Sequence, residues 1–216
     1  MAGEGVVRVA ARPVPMQACA HVLADAFADD PLMSSIWPDR SRRAVALRTY
    51  FTATLSHEHS VVGVVEFVAV EGRPVAVAAW DGPNRGSALA GLWRTLRAAP
   101  ELLSALRTRL PVGVDVRRRL DEHEPGSPHW TLVNLGVHPD HQGSGLARTL
   151  LNHRLAAIDA DAAASHLVCT RAKNVSLYER FGFTTTKEFG LRDGTPLWAM
   201  DRRWRALCDA PPRYPA

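Results

Sequence analysis

A mixed α/β fold in a single domain is what this sequence predicts, on three observations. Short runs rich in Val, Ala and Trp alternate with longer runs whose apolar residues recur at helical spacing. The clearest stretch, Trp130 to Leu151, passes from an apolar strand through a glycine-bearing turn into a helix. And 216 residues with 46% apolar content suffice to bury one core without staples.

The elements follow in order. Val6 to Ala11 alternates as a first strand, closed by Arg12-Pro13. From Met16 a helix sets Cys19, Ala20, Leu23, Ala24 and Phe27 on one face. It ends near Asp29-Asp30-Pro31, because the residue before a proline resists helical geometry. Pro31 to Pro38 is expected to be a loop, and a second helix runs from about Arg40 to His57 with Ala44, Leu47, Tyr50, Phe51 and Leu55 inward. Val62–Val70 and Pro74–Trp80 form a hairpin about Glu71-Gly72-Arg73. Ser87 to Leu110 is helical with an interruption at Pro100, and Val112 to Glu124 carries a short charged helix. Pro125 to Pro128 is a linker into the central strand. After the central helix come a strand at His166–Thr170, a helix at Lys173–Arg180 closed by Gly182, and strands at Phe183–Phe189 and Leu197–Met200. The order is β-α-α-β-β-α-β-α-β-α-β-β. Residues 1–205 are one domain, with 86–125 a helical insertion and 206–216 an irregular tail.

Composition narrows the function. A net charge of +4 suits a ligand with several phosphates, and no aromatic-and-basic motif speaks for nucleic acid. Arg117-Arg118-Arg119 is balanced by Asp115, Asp121, Glu122 and Glu124, as on a solvated face. Cys19, Cys169 and Cys208 stand far apart without a CxxC pair, against both a disulfide framework and a zinc site. No apolar run reaches the roughly 18 residues of a membrane span, and no leader pattern opens the chain, so a cytoplasmic protein is expected.

The chemistry begins at Gln142-Gly143-Ser144-Gly145-Leu146-Ala147. Glycine lets a backbone approach a ligand closely, and the first turn of a helix has unpaired N–H groups with the helix dipole behind them. That makes a phosphate site. The dinucleotide fingerprint would need a glycine where Arg148 stands, and the Gly-Lys-Ser/Thr of a nucleotide P-loop is absent.

Gln-x-x-Gly-x-Ala after a strand ending Gly136-Val137-His138-Pro139 resembles the acetyl-CoA diphosphate loop of the GNAT acetyltransferase superfamily. Asn174 to Phe183, with Tyr178 and Gly182-Phe183, resembles a second segment of that superfamily. Within it the chain is most similar to the puromycin N-acetyltransferase group of actinobacteria. That likeness rests on Ala26–Asp29, Pro38-Asp39-Arg40, Ala76–Trp80, Trp130–Gly143 and Tyr178–Phe183, all in order. The resemblance implies a mixed, mostly antiparallel sheet flanked by helices, in which the parallel pair Trp130–Val137 and His166–Thr170 splays apart around the cofactor's pantetheine arm. It implies acetyl-CoA as cofactor and direct transfer of acetyl to a primary amine of a small molecule, such as an antibiotic or amino-nucleoside. No metal is implied. The protein is expected as a monomer or homodimer.

Carried onto this chain, Leu135, Val137, residues Gln142 to Arg148, Asn174 and Tyr178 bind the cofactor. Acetyl transfer passes through an oxyanion, for which the Val137 amide is the candidate donor. The departing thiolate needs a proton. Tyr178 is the candidate, since a phenol (about 10) and a thiol (about 8.5) are close enough in pKa for transfer. Asp29, Trp37, Trp80 and Trp130 are candidates for an apolar, aromatic acceptor pocket, with core packing the competing role for Trp80. The base stays open: Thr131 to Leu135 carries no carboxylate, leaving Asp29, Asp30, His57 and His59. Competing functions are acetylation of a protein or peptide, and a non-catalytic acyl-CoA sensor.

Overall fold

The computed structural model describes residues 7–9, 14–84 and 86–204. Its elements are β1 Val7–Val9, α1 Met16–Ala26, α2 Pro31–Ile36, α3 Arg40–Thr54, a π-helical turn Leu55–His59, and the single turn α4 Ser60–Val62. β2 Gly63–Val70, β3 Arg73–Asp81, α5 Ala88–Leu106, a short 3-10 turn, α6 Leu110–Asp121 and β4 His129–Val137 follow. The chain continues through α7 Leu146–Ala160, β5 Ala164–Cys169, α8 Ala172–Arg180, β6 Thr184–Gly190 and β7 Pro196–Arg202. The ends of the expected first strand and the tail 206–216 lie outside the described residues.

One sheet of seven strands runs β1-β2-β3-β4-β5-β7-β6. Every described pairing is antiparallel except β4 with β5. The β2–β3 hairpin turns on Glu71 and Gly72, at φ 51° and 78°, the positive values a tight hairpin requires. The sheet's two faces are covered separately. Val65, Phe67, Val77 and Ala79 meet α1, α3, α5 and α6, while Ala76, Ala78, Trp80 and Leu132 meet α7 and Phe183. Glu66 crosses the second seam: wholly buried on β2, it accepts from His153 Nδ1 at 3.0 Å and Arg154 Nη2 at 2.5 Å on α7.

Three expectations need correction. Pro31–Ile36 is a helix and not a loop. Asp30 caps it, accepting from the amides of Leu32 (3.0 Å) and Met33 (3.3 Å), and proline suits the first helical position. On α3, Ala46 and Arg43 face inward where Ala44 was expected. The Arg43 guanidinium is buried because carbonyls receive it, those of Ala28 (2.9 Å) and Pro38 (3.3 Å). And α5 runs unbroken through Pro100. Proline there sacrifices one helical hydrogen bond, a loss outweighed by the packing of Ala98, Ala105 and Leu106 on either side.

Candidate active site

The strand that opens the site loses its neighbour part-way along. β4 and β5 pair from His129–Ala164 to Leu132–Leu167 and no further. At the same place the β3 register jumps from Ala79–Asn134 to Trp80–Leu132, so Val133 is an extra, bulged residue of β4. Beyond it the amides alternate between the two edges. His138 N–H bonds Val75 O at 2.8 Å on the β3 side, which turns the amides of Val137 and Leu135 toward the gap. A cleft of about 1620 Å³ occupies that gap.

At one end of the cleft is the glycine loop. Gly143 and Gly145 have φ of 80° and 81°, values that L side chains rarely adopt. A Cβ at Gly143 would meet no atom within 4 Å, so the loop presents bare backbone to open space. The loop is held from behind: Gln142 Nε2 donates to Val137 O at 3.2 Å, and the Ser144 hydroxyl donates to His141 O. Gln142, Gly143, Gly145, Leu146, Ala147 and Arg148 line the cleft, whereas Ser144 does not. Gly145 is the N-cap of α7, whose first-turn amides have no helical partner.

The middle of the cleft joins Leu135 and Val137 to Asn174 and Tyr178 of α8 and to Cys169 and Thr170. Burial pushes the Tyr178 phenol well above its ordinary pKa, and the neighbouring Cys169 and Asp30 push the same way. The phenol therefore stays protonated at neutral pH. Its ring meets Phe183 edge-on at 6.1 Å. Burial raises the Cys169 thiol, whose Sγ donates to Arg171 O at 3.1 Å, as befits an inert core cysteine. Asp30 is 3% exposed and accepts from Thr170 Oγ1 at 2.6 Å, tying α2 to the end of β5.

The far end is walled by α5 and α6 through Leu102, Leu106, Val116 and Leu120, with Tyr50, Glu58 and Arg117 among the polar groups. It is aliphatic rather than aromatic. The structure sends all three candidate tryptophans elsewhere. Trp80 is fully buried in the core beneath α7, and Trp37 is 4% exposed with Nε1 donating to Ala105 O at 2.9 Å. Trp130 packs against the same core, with the Arg154 guanidinium over its ring at 5.5 Å. A strand tryptophan reads alike from either face until the register is known. Asp29 does reach the rim, where it pairs with Arg40 at 2.9 Å. The sequence reading missed Asp81, which lines the cleft with His59, their Oδ1 and Nδ1 2.7 Å apart. No spacing links residues 59 and 81; only the hairpin brings them together.

Residues 105–185, which build the loop, β4, β5 and α8, match the acetyltransferase (GNAT) domain family. Among solved structures, one described as histone acetyltransferase HPA2 and related acetyltransferase from Corynebacterium glutamicum is 25% identical, with a TM-score of 0.70 over 97% of this chain and 99% of its own. An agmatine N-acetyltransferase is 15% identical at a TM-score of 0.55, covering 93% of this chain and 100% of its own. The PaiA N-acetyltransferase of Thermoplasma acidophilum, determined with coenzyme A, is 8% identical at a TM-score of 0.55, covering 92% and 99%. Fold, cleft and domain match define the class: residues 105–185 match an acetyltransferase (GNAT) domain, and the chain around them has the fold of these acetyltransferases. The protein is an N-acetyltransferase whose acyl donor is acetyl-CoA.

Proposed function

We propose that the protein transfers acetyl from acetyl-CoA to a primary amine of a small molecule, in a ternary complex, as the puromycin N-acetyltransferase resemblance implies. One observation carries this reading: a single cleft runs from the glycine loop, through the β4–β5 gap, to a chamber walled by α5 and α6. The helices α5 and α6 bound the acceptor end with apolar side chains, which suits a compact amine with an apolar part. The Corynebacterium structure carries a histone acetyltransferase name, so a protein substrate is the alternative to test.

In this proposal the loop amides and the first turn of α7 hold the diphosphate, with Arg148 beside them. Leu135, Val137 and Asn174 hold the pantetheine arm. The Val137 amide, turned into the gap, is the proposed donor to the oxyanion. Tyr178 gives its proton to the departing thiolate. No helix among the described residues is long and apolar enough to cross a membrane. The test is thiol release from acetyl-CoA against amine-bearing antibiotics, amino-nucleosides and lysine-rich peptides. Release with peptides alone would overturn the small-molecule reading.

A further inference from the structure

We propose that His59, held by Asp81, takes the proton from the acceptor amine, and that the acceptors are alkyl amines that are ammonium ions at neutral pH. The inference rests on the transferase reading above. Its ground is a buried polar pair on the cleft wall. His59 is 3% exposed and Asp81 7%, with Nδ1 to Oδ1 at 2.7 Å. Taking such a pair from water is costly unless the geometry returns the energy, and a pair at a cleft wall has a use for it.

Two local devices build it. The π-helical turn Leu55–His59 inserts an extra residue at the end of α3, and such bulges recur at functional sites. Asp81 ends β3 opposite Thr131, one pair before β4 loses β5 and two residues before the bulged Val133. The dyad therefore stands beside the point where the strands part, where the thioester would lie. With Nδ1–H given to the carboxylate, Nε2 carries the lone pair that accepts a proton.

The other candidates have different work or another place. Asp30 is spent on α2's amides and Thr170, and Asp29 on Arg40 at the rim. His57 is not on the cleft wall. Charged and titratable groups lining the same cleft include Glu58 on the same turn as His59, Tyr50 on α3, Arg94 on α5, Arg117 and Asp121 on α6, Glu124 beyond it, and His166 on β5, in register with Asp81 across Thr131.

The step balances. Neutral His59 takes one proton from the ammonium; the freed amine forms the C–N bond as the C–S bond breaks. Tyr178 protonates the thiolate and recovers its proton from the amide nitrogen through solvent. His59 returns its own to water. The net products are the acetamide, coenzyme A thiol and one proton.

Two probe amines test it. Phenethylamine is an alkyl ammonium, comparable to lysine at about 10.4; 4-methoxyaniline is neutral near pH 7 and needs no base. His59→Gln is expected to lower kcat/KM for phenethylamine at least about 100-fold. The loss for 4-methoxyaniline should stay under about 5-fold, since positioning alone is disturbed there. The acidic limb of the wild-type pH profile should vanish in His59→Gln and move to lower pH in Asp81→Asn, which removes the charge favouring the imidazolium. Equal losses for both amines, or an unmoved acidic limb, would overturn the proposal. Acetyl-CoA should still raise the melting temperature of both variants, as in the wild type. If neither amine is acetylated, thiol release to water serves as the readout, with the same limb and the same loss expected. No release to any acceptor, with the wild-type thermal shift intact, sinks the dyad and leaves the donor site standing. A wild type without that shift sinks the transferase reading first.

Discussion

Gly145→Glu separates the two things the glycine loop does. Position 145 sits at φ 81°, where a side chain costs about 1–2 kcal/mol. At roughly 2–4 °C per kcal/mol for a chain of this size, the free variant should melt about 2–8 °C lower. Steric conflict adds little, because the nearest atom to a Cβ there is Arg148 Nη2 at 3.8 Å. The ligand effect is larger. Acetyl-CoA at a hundred times its Kd stabilises the wild type by about 2.7 kcal/mol, or about 5–11 °C. Glutamate would set a negative charge against the diphosphate and draw Arg148 to itself, so that shift should vanish. Gly145→Ala is the control, with the same strain and most of the shift retained. Differential scanning fluorimetry with and without acetyl-CoA reads both numbers. Full retention of the shift in Gly145→Glu would mean that the diphosphate lies elsewhere.

Three further outcomes follow from the same geometry. Tyr178→Phe should lower kcat about 100-fold or more while leaving the acetyl-CoA thermal shift in place; an unchanged kcat would show that the thiolate draws its proton from another group. Gly136→Ala should destabilise by about 1–3 kcal/mol in urea titration, since its Cβ would lie 2.9 Å from Leu23 Cδ2 and 3.0 Å from Ala26 Cβ. A wild-type midpoint there would mean α1 yields easily. Burial holds the Tyr50 phenol up at about 12, above the ordinary 10 of an unfolded chain. The folded state thus keeps a proton that the unfolded state loses, so stability should fall between about pH 10 and 12. Tyr50→Phe should flatten that alkaline limb in thermal melts, and an identical limb would assign it to other groups.

The donor half of the site was legible because its chemistry is local. Two glycines, a helix start and a preceding strand are all within Leu135 to Arg148, and the proposed donors are backbone amides. Tyr178 and Asn174 were legible by resemblance to a motif on one helix. The acceptor half resisted for the opposite reason. His59 and Asp81 meet only after β2 folds back on β3, and a π-helical turn leaves no periodic mark. The Trp130 and Trp80 side chains depended on which face of the sheet each strand presents, which the bulge at Val133 shifts. Pro31 pointed away from a helix, although Asp30 ahead of it is a good cap; proline at the first helical position starts helices as readily as it ends them.

The buried Glu66 has a mechanical consequence. Leucines along the seam between α7 and the sheet would tolerate a slide, since one aliphatic contact replaces another at little cost. A slide of one turn, about 5.4 Å, would strand the carboxylate in hydrocarbon and pull Arg154 from its seat. The helix is thereby latched at one depth, and its leading end cannot creep relative to the glycine loop before it.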